Sequence, residues 1–258
     1  MNAPSFSFSV FQQSLATSAI GRVMLFRTST ATTMTLARRE ADEGAPHGTI
    51  VLAEEQTSGR GRRGRTFASP PDENLYFTLV LRLPIDVHRR LPLILPLAVT
   101  NALAQQGVAA SIKWPNDVWV GTRKLCGMLI DAGVASDTCL ALAGIGINVN
   151  GDPTQIPELS GLATSARLAA GHPLSREMLL AEICNRIEAM LAWPAAELTA
   201  AYRERSMILG YEVLVEPAGE APYVARALAV DDDGGLRIRR ADGREESVLA
   251  ADVSVRPA

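Results

Sequence analysis

The sequence predicts an α+β fold in which a large portion of interspersed strands and helices is followed by a small all-β barrel. Three observations predict it. Between about residues 21 and 207, apolar β-branched runs alternate with helical runs. After Gly210 the pattern changes to short strands separated by Gly-, Asp- and Pro-rich turns. With 258 residues, 47% hydrophobic and 21% charged, the chain can fill one sizeable core and a small appended one. The expected division is therefore a weakly patterned, partly disordered extension over 1–20, a main domain over 21–207, and a C-terminal domain over 208–258.

The elements follow in order. Arg22 to Arg27 reads as a first strand. Thr32 or Thr33 can cap a helix that runs to about Glu43 and stops at Gly44. Gly48 to Glu54 is an apolar, β-branched strand. From Asn74 to Arg82, Leu75, Phe77, Leu79 and Leu81 point one way, and Tyr76, Thr78, Val80 and Arg82 the other. Leu91 to Gln106 is an apolar helix with Pro92 in its first turn, a kink expected at Pro96 and a stop at Gly107. Short strands are expected near Ile112 and Val118, over Leu125–Ala132 and over Cys139–Val149, with a loop at 153–157. Arg176–Ala192 and Ala195–Arg205 read as helices. The tail gives strands at 211–216, 223–230, 236–240, 246–249 and 253–256. The Asp231–Gly235 turn between two of them reads as a solvated hairpin turn.

Composition excludes several functions. The net charge of −3 speaks against a surface built wholly for nucleic acid. No apolar run approaches the roughly 20 residues of a membrane helix, and the N-terminus lacks the pattern of a secretory signal. Cys126, Cys139 and Cys184 form no CxxC pair and sit in apolar stretches, which suits small hydrophobes in a reducing cytoplasm. The three histidines have no metal-ligand spacing.

Three segments carry chemistry. Residues 55–67 read EQTSGRGRRGRTF. Gly59, Gly61 and Gly64 satisfy G-x-G-x-x-G, but prolines at 70 and 71 forbid the helix a dinucleotide fold needs there. Glycines let backbone amides approach an anion, and Arg60, Arg62, Arg63 and Arg65 supply forked, permanent donors for carboxylate or phosphate. Taken alone, the run also fits a solvated basic loop or a nucleic-acid patch. Next, KWPND (113–117) and RKLCGMLID (123–131) place Lys113 and Lys124 on what read as neighbouring strands of one hairpin. Two lysines and a carboxylate there could hold a phosphate and Mg²⁺, or form an ordinary charged hairpin. Last, GIGINVN (144–150) offers small residues in a strand, for close approach of a ligand or for packing.

Taken together and in this order, GRGRRGR, KWPND with RKLCG, and GIGIN resemble the hallmark blocks of biotin–protein ligases. The resemblance is strong over about Arg22 to Asn150 and weaker over the C-terminal strands. It implies a catalytic domain with a mixed sheet related to class II aminoacyl-tRNA synthetases, plus an SH3-like C-terminal domain. It implies biotin and ATP as substrates, Mg²⁺, and a biotin carboxyl carrier protein or domain as acceptor. By the same resemblance Gln56, Arg60, Gly61, Arg62 and Lys124 contact biotin or the adenylate, and Lys113 and Asn148 lie near the adenylate. Asn116 and Asp117 lie near phosphate and metal, and Arg63, Arg65 and Phe67 belong to the nucleotide side.

One block departs from the family pattern of Ser-Thr-Asn or Ser-Thr-Met. Ser29-Thr30-Ala31 and Thr32-Thr33-Met34 both stand here, and spacing to Gln56 favours the second. Thr32 then replaces the usual serine, and Phe67 the usual tryptophan. The biotin-pocket block begins too early to leave room for a DNA-binding domain of about 50 residues, so no repressor activity is expected.

The implied reaction joins biotin to ATP as biotinyl-AMP and passes biotin to a lysine of the carrier. Arg60, Arg62, Lys113 and Lys124 are the expected catalytic cations, Asp117 the expected Mg²⁺ ligand, and no protein nucleophile is needed. The runner-up is a lipoate or octanoate ligase of the sister family, although its histidine-containing block is absent. Whether the protein is a monomer or a homodimer stays open, with an exposed strand beside the 138–149 hairpin able to pair.

Overall fold

A computed structural model describes residues 6–61, 64, 66–135, 138–217, 220–249 and 253–257. Seven strands, β1 (Met24–Thr30), β2 (Thr49–Gln56), β3 (Leu75–Pro84), β4 (Ser111–Lys113), β5 (Asp117–Val120), β6 (Arg123–Ala135) and β7 (Thr138–Ile147), form one sheet. Its order is β1-β2-β3-β7-β6-β5-β4. The β1–β2 pair is parallel and the other pairs antiparallel, so the sheet is mixed.

The two faces of β3 bear out the alternation in the sequence. Leu75, Phe77, Leu79 and Leu81 enter the main core, while Val80 joins Val51 and Leu142 beneath a helix on the opposite face. That helix, α2 (Thr33–Asp42), starts where Thr32 adopts extended backbone and its hydroxyl accepts from the Met34 N–H at 3.1 Å. It ends before Gly44, whose φ of 96° suits only glycine. Ala37 and Ala41 face the sheet, so the helix lies close to it.

Helices α4 (Leu91–Gln105), α6 (Arg176–Leu191) and α7 (Ala195–Arg205) cover the main face. α4 is apolar all round, with eleven buried residues, as expected of a helix enclosed by neighbours. It continues through Pro96. Each fully buried leucine contributes about 1.5–3 kcal/mol, so this layer outweighs any surface ion pair.

Some elements differ from the sequence reading. Residues 6–20, expected to have little order, form α1 (Phe8–Ser14), and Phe11, Leu15 and Ile20 enter the core. Side-chain acceptors distant in sequence hold this segment, an organisation no periodicity announces. Glu54 accepts from the Phe6 N–H, Asn185 from Ala16, and Glu188 from Ala19 and Ile20. Short helices α3 (Ile85–His88) and α5 (Ala166–Ala170) stand where no element was expected, and 153–155 and 157–159 are single 3₁₀ turns. Lys113 and Lys124 are not on neighbouring strands, because β5 lies between β4 and β6. The strand beside the 138–149 hairpin that was read as exposed is β6 itself, and β7 is enclosed between β3 and β6. β5 pairs β6 only as far as Gly127.

The tail forms β8 (Glu212–Pro217), β9 (Tyr223–Val230), β10 (Leu236–Arg240), β11 (Glu245–Val248) and β12 (Val253–Pro257). They make a five-stranded antiparallel sheet of order β11-β10-β9-β8-β12. The cysteines are buried and free. Among the described residues, no helix is long and apolar enough to cross a membrane.

Candidate functional site

One open cleft collects the sequence motifs over the β6–β7 side of the mixed sheet. Its floor is glycine. Gly127 on β6 lies opposite Gly146 on β7, and Leu129 opposite Gly144. A Cβ on Gly146 would stand 2.6 Å from the Phe67 ring, and one on Gly144 would stand 2.7 Å from the Met34 sulfur. The small residues are therefore a bed on which an aromatic ring and a thioether lie. Phe67 also packs edge-on to Tyr76, with ring centroids 6.3 Å apart.

One wall comes from the start of α2 and the end of β2. The Thr33 N–H and hydroxyl both donate to Gln56 Oε1, at 2.9 and 3.1 Å. The Thr78 hydroxyl donates to that of Thr33 at 2.9 Å. Gln56 Nε2 donates to Ser69 Oγ at 3.1 Å, and Ser69 Oγ to the Phe67 carbonyl at 3.1 Å. Thr32, Thr33, Met34 and Gln56 all line the cleft.

The glycine–arginine loop is pinned at its neck. Phe67 N donates to the Gly59 carbonyl at 2.9 Å, and Arg60 bridges to Thr66. Any side chain at Gly59 would lie 2.3 Å from the Phe67 carbonyl oxygen, so only glycine fits there. Arg60, Gly61 and Phe67 line the cleft. Arg62, Arg63 and Arg65 lie outside the described residues.

The opposite wall is β4–β5–β6. Lys113, Asn116, Asp117 and Lys124 line it. The Lys124 ammonium lies 2.7 Å from Asp117 Oδ1, with side chains 35% and 19% exposed. Lys113 lies 4.6 Å above the Trp119 ring. The Lys124 backbone is clamped between β5 and residues 162–164, whose Leu162 carbonyl and Thr164 N–H bond it at 2.9 Å each. Cys126 beside it is no nucleophile, since burial pushes its thiol far above the usual range.

The C-terminal sheet completes the cleft. Val255 of β12 lines it, and the Trp114 indole donates to the Gly234 carbonyl at 2.9 Å. The Asp231–Gly235 turn is thus not simply solvated, because Gly234 and Gly235 are buried.

Asn148 does not line this cleft. It lines a neighbouring one with Asn74, Asp152 and Arg167. Its amide donates to the Thr164 carbonyl at 3.0 Å, and its own N–H to the Leu125 carbonyl at 3.0 Å.

Comparison with known proteins decides the family. Residues 25–149 match the Biotin/lipoate A/B protein ligase family, and 208–256 match the Biotin protein ligase C terminal domain. The biotin–[acetyl-CoA-carboxylase] ligase of Mycobacterium tuberculosis is 32% identical, covering 86% of this chain and 85% of that protein. The chain belongs to the biotin–protein ligase family. Another relative in this family, the biotin–[acetyl-CoA-carboxylase] ligase of Paracoccus denitrificans, is 34% identical over 76% of this chain and 85% of its own. Among solved structures, the biotin protein ligase from Aquifex aeolicus in complex with biotin and ATP superposes with a TM-score of 0.76. Its identity is 28%, and the match covers 92% of this chain and all of that one.

Within this ligase cleft the structure brings together Thr32, Thr33, Met34, Gln56, Arg60, Gly61, Phe67, Lys113, Asn116, Asp117 and Lys124. Sequence reasoning missed Thr78, Ser69 and Val255. A polar residue on the buried strand β3 was a usable signal for Thr78. Nothing in the tail marked Val255.

Proposed function

We propose that the protein is an ATP-dependent biotin–protein ligase. It forms biotinyl-5′-AMP from biotin and ATP and transfers biotin to a lysine of a biotin carboxyl carrier protein or domain. The observation that supports this best is the pairing of a hydroxyl–amide wall with a cationic wall across one glycine floor.

Biotin and ATP repel each other as anions, and Arg60, Lys113 and Lys124 offset that repulsion on one cleft. The biotin carboxylate attacks the α-phosphorus and pyrophosphate leaves. Asp117 holds the Lys124 ammonium in place for this step. The same reading assigns Arg62, Arg63 and Arg65, which lie outside the described residues, to the adenylate, and gives the glycine–arginine loop the task of keeping water from the mixed anhydride. In the second step the neutral amine of the carrier lysine attacks the acyl carbon, AMP leaves, and the amine gives up a proton.

Asn116 and Asp117 are the residues that would hold Mg²⁺. A single carboxylate suits an ion held largely by ATP phosphates, where it neutralises their charge, and the described residues contain no group of three metal-ligating His, Cys, Asp or Glu side chains. Thr32, Thr33, Met34, Gln56 and Gly61 take the biotin ring, and Phe67 and Asn148 the nucleotide side. The same reading makes the main domain (21–207) a class II synthetase-like layer and residues 208–258 an SH3-like unit. It places the protein in the cytoplasm, with neither nucleic acid nor membrane as partner, as a monomer or as a homodimer paired along the outer edge of β6.

The test is incubation with Mg-ATP and either biotin or lipoate, reading pyrophosphate and acyl-AMP by mass spectrometry. Biotin-dependent pyrophosphate with biotinyl-AMP is the expected result. Release that depends on lipoate moves the protein to the sister activity.

A further inference from the structure

The hydroxyl–amide wall has a forced hydrogen-bond polarity. A backbone N–H can only donate, so the Thr33 N–H fixes the oxygen of the Gln56 amide on its side and leaves Nε2 facing Ser69. That carbonyl oxygen carries no hydrogen, so the Thr33 hydroxyl commits its single hydrogen there. Facing Thr78 Oγ1 at 2.9 Å, Thr33 can then only accept, and Thr78 donates. Toward a ligand in the cleft, Thr33 therefore offers a lone pair and nothing else. Its neighbour is opposite in sign. Thr32 Oγ1 accepts from the Met34 N–H, and its hydrogen is bonded to none of the described groups.

A donor beside an acceptor matches the C=O and adjacent N–H of a cyclic urea. The dithiolane ring of lipoate has neither group. Thr78 is fully buried and Thr33 is 3% exposed, so no solvent can replace the bond between them. We propose that Thr78, by donating into one lone pair of Thr33, is the positioning residue that aims the remaining lone pair of this acceptor at a cyclic urea. This rests on the biotin-ligase reading above.

The test compares wild type, Thr78→Val, Thr78→Ser, Thr33→Val and the double variant Thr33→Val/Thr78→Val in biotin-dependent pyrophosphate release. Wild type comes first: without biotinyl-AMP, the ligase reading and this inference both fall before any variant is read. With it, Thr78→Val is expected to raise the biotin KM about tenfold, the effect of one buried hydrogen bond. The ATP KM and kcat stay near wild type, Thr78→Ser restores the biotin KM, and Thr78→Val adds nothing in the Thr33→Val background. A biotin KM unchanged in Thr78→Val overturns the inference while leaving the ligase reading intact. So does an equal rise in the ATP KM, or an equal effect without the Thr33 hydroxyl. If Thr78→Val does not fold, Thr78→Ala carries the same comparison.

Discussion

Neutralising Glu54 should destabilise the whole protein. Glu54 and Arg176 face each other with side chains 6% exposed each. Arg176 Nη2 donates to Glu54 Oε1 at 3.2 Å, while Nη1 reaches Oε2 and also donates to the Asn74 carbonyl at 3.1 Å. Glu54 further accepts from the Phe6 N–H at 3.2 Å. Glu54→Gln keeps the shape and leaves a buried guanidinium without its counter-charge, which costs about 3–5 kcal/mol. For a chain of this size that is a fall in Tm on the order of 10 °C. The damage should reach the site, because Asn74 Oδ1 receives the Val149 and Gly151 N–H groups beside Asn148. The assay is thermal unfolding followed by circular dichroism for wild type, Glu54→Gln and Glu54→Leu/Arg176→Met. Desolvating a pair nearly cancels its attraction, so the double variant should recover most of the loss. A Glu54→Gln Tm within about 2 °C of wild type, or a double variant no better than the single, would refute the reasoning.

Three further outcomes follow from the structure. Gly146→Ala drives a methyl to within 2.6 Å of the Phe67 ring; kcat/KM for biotin should fall about tenfold or more, and Phe67→Ala in the same chain should recover part of it. Trp114→Phe leaves the buried Gly234 carbonyl unpaired, and urea unfolding should show a loss of about 1–3 kcal/mol. Burial raises the Glu188 pKa, but the N–H groups of Ile20, Ser18 and Ala19 outweigh it and bring it down to about 2 from 4.5. A depressed carboxylate stabilises above its unfolded pKa and is lost as pH falls through the folded one. The Tm advantage of wild type over Glu188→Gln should therefore shrink between about pH 4.5 and about pH 2; an advantage that grows on acidification contradicts the assignment.

Local chemistry made most strands and helices legible. The α2 helix was readable because a hydroxyl cap and a glycine stop mark its ends, and β3 because its alternation separates two cores. The site motifs were readable because their glycines mark places where Phe67 and Met34 leave no room for a side chain, and because a run of arginines stands out against an acidic average. The N-terminal segment was not legible, since long-range carboxylates from α6 and β2 hold it in place of its own pattern. Thr78 escaped because its meaning depends on Thr33, 45 positions earlier. The role of the Asp231–Gly235 turn escaped because it depends on one indole 120 positions away. The hairpin placement of Lys113 failed because the intervening β5 pairs on both of its sides.

The central claim is transfer through an acyl-adenylate to a carrier lysine. The most direct measurement is the intact mass of a purified biotin carboxyl carrier domain after incubation with this protein, biotin and Mg-ATP. The account predicts a gain of one biotinyl group that requires ATP and disappears when the acceptor lysine is replaced by arginine. A carrier whose mass is unchanged with biotin but which gains a lipoyl group with lipoate would contradict it.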